Sequence, residues 1–411
     1  MKLILSNRNY RLHLSGQLIT VFGSRILRMA FALHVLDVTK RADLFASMLA
    51  IGEIPMLFAS LGGVISDRYN RKMLMIVIDT IHAIAALTYG LFFVSHGDIS
   101  AILVILVLLG LCTCVEEPNG SAIIHSIVEK KDLTNANGLL NGLTNVSHIA
   151  GPLLGGVLYA TFTVRDLALI SAAFFFLAVL VESFIAIPHH PSQNEGNAIK
   201  GIWQDLLDGF KLLIQNKAIF HTSLLAAVLN FVVTPFFNSA VPVILRLTLK
   251  ANDYFYGLGV AVINIGLVVG ALGSGMVHEK IKIKQVWLLL TGAGFLLALA
   301  SAALTPSFLA LGFYPVYCWF SFLFLLVSAA FGILNIILIS FIQKVTPANM
   351  QGKILGSVIT ISQLANPLGL WLSGLLLQTF QNAIYIPALC SAGMMVLISL
   401  AMKQTMRNVE D

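Results

Sequence analysis

The chain has 411 residues, 58% of them apolar or aromatic and only 11% charged, with a mean hydropathy of +0.89, where soluble domains carry about 25% charged residues. Too few polar groups remain to coat a soluble surface, so an ordinary soluble enzyme is excluded and the bilayer is the solvent for most of the chain. The net charge of +6 comes without a basic cluster interleaved with aromatics, so no nucleic-acid partner is expected and the excess is assigned to membrane topology.

The N-terminal MKLILSNRNYRLHL lacks a continuous apolar core and a small-residue cleavage site, so no cleaved signal peptide is expected. Apolar blocks of about 20 residues between charged or turn-forming breaks are the mark of membrane helices. They predict spans at 12–36, 44–66, 73–95, 99–127, 136–162, 166–187, 219–245, 254–278, 285–305, 314–342, 354–378 and 383–402. With the N-terminus in the cytoplasm, 18 of the 25 basic residues fall on inner segments. Five (Lys40, Arg41, Arg165, Arg246 and Lys250) fall outside. The positive-inside rule therefore places both termini in the cytoplasm. Cys112, Cys114, Cys318 and Cys390 all lie in apolar stretches, where they act as small hydrophobes.

Ionisable groups at membrane depth cost several kcal/mol and mark pathways. In the first span Arg25 and Arg28 share a helical face with Gln17 and Val21. Glu53 lies near the middle of the antiparallel second span, at similar depth. Asp79 and His82 are in the third span; Glu116 and Glu117 stand just before Pro118 in the inner half of the fourth. An opposite-charge cluster is inferred, serving either proton and substrate coupling or the pinning of helices as a structural ion-pair network. In the fifth span Gly151, Pro152, Gly155 and Gly156 form AGPLLGG, and small residues at this spacing let membrane helices pack closely. Glu182 stands near the end of the sixth.

From 188 to 217 the chain is polar. Ile202, Trp203, Leu206, Phe210 and Leu213 make one face of an amphipathic helix expected to lie on the inner membrane surface. In the seventh span Asn230, Thr234 and Asn238 recur every four residues as a candidate substrate-binding face, and Pro235 and Pro242 are expected to bend it. Asn264, Asn335, Gln363 and Asn366 are further polar candidates, while His34, His125 and His148 are set aside as structural. The acids at membrane depth are confined to the first half: between Asp253 and Glu279, and from there to Glu410, there is none.

The halves also repeat weakly. IVEKKDLTNANGLLNGLTNVSHIAGPLLGG follows the fourth span and KVTPANMQGKILGSVITISQLANPLGLWLSG the tenth, each with a polar turn, a Gly-containing helix start and a mid-helix Pro flanked by Gly. Such duplication is the habit of transporters that bind at the repeat interface. The expected domains are a six-helix bundle at 1–187, the linker 188–217 and a second six-helix bundle at 218–411.

The loop GGVISDRYNRK (62–72) resembles the signature G-x-L-x-D-R-x-G-R-K of the major facilitator superfamily. Asn70 replaces a glycine, and Asn also tolerates a left-handed turn. The span count, linker and duplicated halves extend the resemblance over the whole chain. It implies an all-α membrane protein with twelve transmembrane helices in two pseudo-symmetric bundles. It also implies that Asp67, Arg68 and Arg71, with Gly63 and Asp79, form a cytoplasmic gate, and that the first and fourth helices line the central cavity of the first half. AGPLLGG resembles the G-P-x-x-G-G element of antiporters in the superfamily.

NRNYRLHLSGQLITVFGSRI, RKMLMIVIDTIHA, EEPNGSAIIHSIVEKKDLTNANGL and TPANMQGKILGSV look like the drug and siderophore exporter branch, which includes macrolide-efflux proteins and the enterobactin exporter. Three positions depart from that branch. Ser24, before Arg25, stands where an acid is frequent; Asp79 pairs with His82 rather than Arg; and Glu116 and Glu117 replace apolar or aromatic residues. The expected function is export of a small organic molecule by alternating access with proton antiport, from a bacterial inner membrane and as a monomer. An anionic substrate, such as a carboxylate siderophore or lysophospholipid, is the alternative favoured by Arg25 and Arg28. A non-transporting receptor is the alternative of another class. No nucleophile, metal or phosphate-binding constellation is present at plausible spacing, so no enzyme activity, cofactor or metal is expected.

Overall fold

A backbone in lipid must satisfy its own N–H and C=O groups, and long apolar blocks do so as helices. The computed structural model describes residues 7–93, 99–129, 132–187, 217–278, 285–345 and 351–406, and among the described residues helix is the only regular structure. The expected amphipathic linker helix falls at 188–216, outside the described residues.

Helix α1 (Arg8–Thr39) turns at Lys40, whose φ of 54° permits the tight reversal into α2 (Ala42–Glu53). The second expected span is not one continuous helix. A 3₁₀ segment, Ile54–Phe58, separates α2 from α3 (Ala59–Arg68), because Pro55 lacks the N–H that would continue the α ladder. Next comes α4 (Arg71–Thr88), closed by a π turn at Tyr89–Phe93. Asn70 caps α4: its Oδ1 accepts from the Met73 N–H at 3.1 Å and its φ is −63°. The residue replacing the expected glycine thus serves as an N-cap rather than a left-handed turn. Helices α5 (Ile99–Ile127) and α6 (Leu133–Tyr159) follow, and α7 (Val164–Ser183) starts on a capping box between Thr163 and Asp166.

The second half opens with α8 (Lys217–Pro235), which widens into π turns at Phe236–Ala240 and Ile244–Thr248 on either side of α9 (Val241–Val243). Pro242 has no N–H to return to the carbonyl four residues back, so the bend expected in this span is a change of winding. There follow α10 (Asp253–His278), α11 (Val286–Ala302), the short α12 (Pro306–Leu309), α13 (Phe313–Val345), α14 (Gln351–Thr379) and α15 (Tyr385–Met406). Twelve helical passages among the described residues correspond to the twelve expected spans. Eight of them are by themselves long and apolar enough to cross a membrane.

The chain divides into two compact units: Met1–Thr39 with Ile51–Ile202, and Lys40–Ala50 with Trp203–Asp411. In the first unit α1 packs on α6 and α7, α4 on α7, and α3 on α5. The start of α1 is pinned by polar and apolar contacts together. Asn7 donates to Ile127 O at 2.7 Å and Tyr10 Oη to Ala136 O at 3.0 Å, around a core of Leu14, Ile124, Val128 and Leu140. In the second unit α10 packs on α13, α8 on α14, and α11 on α13 and α15. The first part of α2 belongs to that unit, where the Ala42 N–H donates to Gln378 Oε1 at 2.9 Å. Large apolar side chains such as Phe176, Leu180 and Leu272 are exposed, as the lipid-facing surface of a membrane bundle requires.

Candidate functional site

In the first unit the site is organised by one face of α1. Gln17, Thr20 and Ser24 are buried along it, and Arg25 and Arg28 follow within a turn. Arg25 Nη1 lies 3.8 Å from Glu53 Oε1, with the two side chains 18% and 32% exposed. The break after Glu53 that frees the carbonyls of α2 also presents Gly52 O to Arg28. Arg28 donates through Nη1 to Gly52 O at 3.0 Å and through Nη2 to Thr113 Oγ1 at 3.1 Å.

Glu116 and Glu117 are adjacent in α5 and point to different surroundings. Glu117 is exposed, within electrostatic reach of Arg25, Arg28 and Glu53. Glu116 is buried and accepts from Gln17 Nε2 at 2.6 Å. The expected opposite-charge cluster is therefore divided. Arg25 and Glu53 meet, Arg28 bonds to neutral groups, and Glu116 turns inward to an amide.

Asp79 lies eight residues beyond Arg71, roughly 12 Å along α4 at 1.5 Å per residue, and is buried rather than at the loop. Its Oδ2 accepts from Thr20 Oγ1 at 2.8 Å, and its Oδ1 is 3.7 Å from His82 Nδ1. Of the residues expected to form the gate, Arg71 donates to Ala122 O at 3.0 Å and Ser126 Oγ at 2.9 Å. Asn119 donates to Arg71 O and accepts from Ser66 Oγ, tying the loop to the end of α5. Arg68 is exposed; the side chain of Asp67 is outside the described set. The close helix approach in this segment is made at Gly62. A Cβ on Gly62 would stand 2.0 Å from Cys114 O, whereas one on Gly63 meets only Pro118 at 3.9 Å.

On α6, Gly151 and Gly155 face α1. A Cβ on Gly151 would stand 2.4 Å from Arg25 Cβ, and one on Gly155 would stand 2.9 Å from Met29 Cβ. Gly156 is buried, and the side chain of Pro152 lies outside the described set. The glycine face thus seats the helix segment that carries Arg25.

In the second unit Thr234 Oγ1 donates to Asn230 Oδ1 at 3.0 Å, and Asn238 is exposed in the π turn. Asn264 bonds back to its own helix at Val260 O. Asn335 is exposed, Asn366 is buried, and the side chain of Gln363 lies outside the described set. Sequence reasoning missed the aromatic cluster beside the Asn face. Phe236 stacks on Phe324 at 5.7 Å, Phe237 meets Phe324 and Phe331 edge-on, and Phe320 lies 4.5 Å from Phe324. With 26 phenylalanines in the chain, no local signal distinguishes these. Asn119 was also missed, although an amide directly after Pro118 in a largely apolar span was a usable cue.

Comparison with known proteins bears on the whole chain. A family model described as the Major Facilitator Superfamily matches residues 14–370. Macrolide efflux protein A of Streptococcus pyogenes is 25% identical over 366 residues, covering 88% of this chain and 87% of that one. The multidrug efflux pump Tap of Mycobacterium bovis is 23% identical over 375 residues (88% and 85%). The staphyloferrin A transporter of Staphylococcus aureus is 26% identical over 228 residues (53% and 55%). Among solved structures, a mutant of the nucleoside transporter NupG superposes with a TM-score of 0.74 at 16% identity, covering 97% of this chain and all of that one. A D-xylose-proton symporter superposes with a TM-score of 0.71 at 16% identity, covering 96% of each.

Proposed function

The chain belongs to the major facilitator superfamily and is an integral membrane transporter rather than an enzyme, and from that premise we propose that it exports a small organic molecule by alternating access in exchange for protons. The observation that carries this reading is the partly exposed Arg25–Glu53 contact at 3.8 Å, with Glu117 exposed beside it. Charges at membrane depth are retained where they face a polar path. Paired, the two neutralise each other. When a helix movement draws Arg25 away, a lone carboxylate is left in low dielectric, and it is relieved either by a proton or by a donor group of the substrate, one in place of the other. Glu53 or Glu116 is the proton carrier in this scheme, and Arg25 or Arg28 the counter-ion. Proton binding and substrate binding then exclude each other, which is the requirement of antiport.

The Phe236, Phe237, Phe320, Phe324 and Phe331 cluster supports a bulky apolar substrate body, with Asn230, Thr234 and Asn238 as polar contacts. The macrolide and multidrug efflux relatives point the same way, toward drug export, and the staphyloferrin A transporter points toward a siderophore as cargo. The placement that goes with the proposal is a monomer in a bacterial cytoplasmic membrane with both termini inside. A second reading, an anionic substrate such as a carboxylate siderophore or lysophospholipid, is favoured by Arg28. Its hydrogen bonds to Gly52 O and Thr113 Oγ1 go to neutral groups, and Glu53, Glu116 and Glu117 act on its charge only at a distance.

The test is flux in proteoliposomes under an imposed pH gradient. Wild type is expected to move substrate against its gradient, and Glu53→Gln to lose that drive. Full gradient-driven transport by both Glu53→Gln and Glu116→Gln sinks the proton assignment. A stabilisation screen of cationic drugs, macrolides, siderophores and lysophospholipids at two pH values separates the substrate readings.

A further inference from the structure

Away from the Arg25–Glu53 contact, three carboxyl groups from three helices converge on little more than one turn of α1. Gly16 faces Glu182 of α7, Gln17 donates to Glu116 of α5, and Thr20 donates to Asp79 of α4. Asp79 and Glu182 are each 1% exposed and stand within side-chain hydrogen-bond reach of each other. Two carboxylates share a hydrogen bond only when one of them carries a proton. The space for Glu182 is made by the absence of a side chain at Gly16, where a Cβ would stand 2.8 Å from Glu182 Cγ and 2.9 Å from Oε1.

A second group is aimed into the same place. His82 is fully buried with its Nδ1 3.7 Å from Asp79 Oδ1, and both ring nitrogens lack a hydrogen-bond partner among the described residues. A neutral imidazole offers one donor and one acceptor, and here neither is used by a hydrogen bond among the described residues. The titratable groups facing the cluster from α5 are Glu116 and Cys112. Arg28 reaches Glu116 electrostatically, but its own hydrogen bonds go to Gly52 and Thr113.

We propose that Asp79, Glu182 and His82 form a proton-binding site inside the first unit, separate from the Arg25–Glu53 contact. The proton enters from Glu117 by way of Glu116 and leaves by the same route. The polar face of α1 is the coupling element. Gln17, Thr20 and Arg25 lie on one helix within eight positions, so a shift of α1 that moves Arg25 also moves the donors on Glu116 and Asp79. This rests on the proton-coupled reading above and adds to it a second place where the proton is held.

The test is pH-difference infrared spectroscopy of the purified protein in lipid, following the C=O band of a hydrogen-bonded protonated carboxyl, which lies apart from that of an isolated protonated carrier such as Glu53. Wild type is expected to show that band. Glu182→Gln and Asp79→Asn are expected to abolish it, and Glu53→Gln to leave it. If one of the first two variants fails to fold, His82→Gln is expected to shift the band by removing the imidazole 3.7 Å from Asp79. A wild-type protein without the band, a band that survives both Glu182→Gln and Asp79→Asn, or one removed only by Glu53→Gln or Glu116→Gln overturns the site. Flux under a pH gradient on wild type is measured in parallel. A band at Asp79 and Glu182 without gradient-driven flux would refute antiport while leaving the site standing, so the two failures are distinguishable.

Discussion

Gly151→Ala tests whether the glycine face of α6 fixes the position of Arg25. The added Cβ would stand 2.4 Å from Arg25 Cβ and 3.1 Å from its Cγ, where carbon atoms ordinarily sit about 3.5–4.0 Å apart, so α6 and α1 must part by about 1 Å. Overpacking of that kind costs about 1–3 kcal/mol. Alanine for glycine in a helix interior returns about 0.5–1 kcal/mol. Gly138→Ala, in the same helix with nothing within 4 Å of the added Cβ, supplies the control in which only that gain operates. The propensity gain cancels between the two variants, leaving Gly151→Ala less stable than Gly138→Ala by about 1–3 kcal/mol. Thermal unfolding of both proteins in the same detergent measures this, and flux assays should show transport impaired in Gly151→Ala alone. Equal stability of the two variants would refute the close seating of α6 on α1.

Further outcomes follow from individual contacts. Arg28→Lys keeps the charge but not the two-pronged donation to Gly52 and Thr113, so a loss of about 1–2 kcal/mol is expected; unchanged unfolding would contradict the geometry. Phe237→Ala removes a half-buried ring between Phe324 and Phe331 and is expected to weaken binding of bulky apolar ligands in a stabilisation assay, an effect that small polar ligands would not show. Tyr10→Phe deletes only the hydrogen bond to Ala136 O. It should lower stability by about 1 kcal/mol and leave flux unchanged, and a transport defect would assign the start of α1 more than an anchoring role.

Spans, their number and the special residues within them were legible because lipid imposes a one-dimensional rule: a helix must be about 20 apolar residues long, and each exception is costly enough to stand out. Arg25, Glu53, Asp79, Glu116 and Glu117 were singled out as candidates this way. The loop motif was legible because its glycine, aspartate and basic residues occupy consecutive turns of chain. Periodicity is silent about where winding changes, so the 3₁₀ break at Ile54–Phe58 and the π turns around Val241–Val243 came from the structure, although the prolines that cause them were in view.

What composition and charge determined alone was the solvent of this protein and the confinement of its buried acids to the first half, since both follow from residue type and order. Which charge meets which was decided only by packing. Glu116 and Glu117 are neighbours in sequence, yet successive residues on a helix point about 100° apart, so one turns to Gln17 and the other to the arginines. Asp79 and Glu182 are 103 positions apart and come together because α4 and α7 both pack in the first unit and Gly16 leaves room for a carboxyl between them. A pairing of that kind depends on three helix surfaces at once, and no single stretch of chain encodes it.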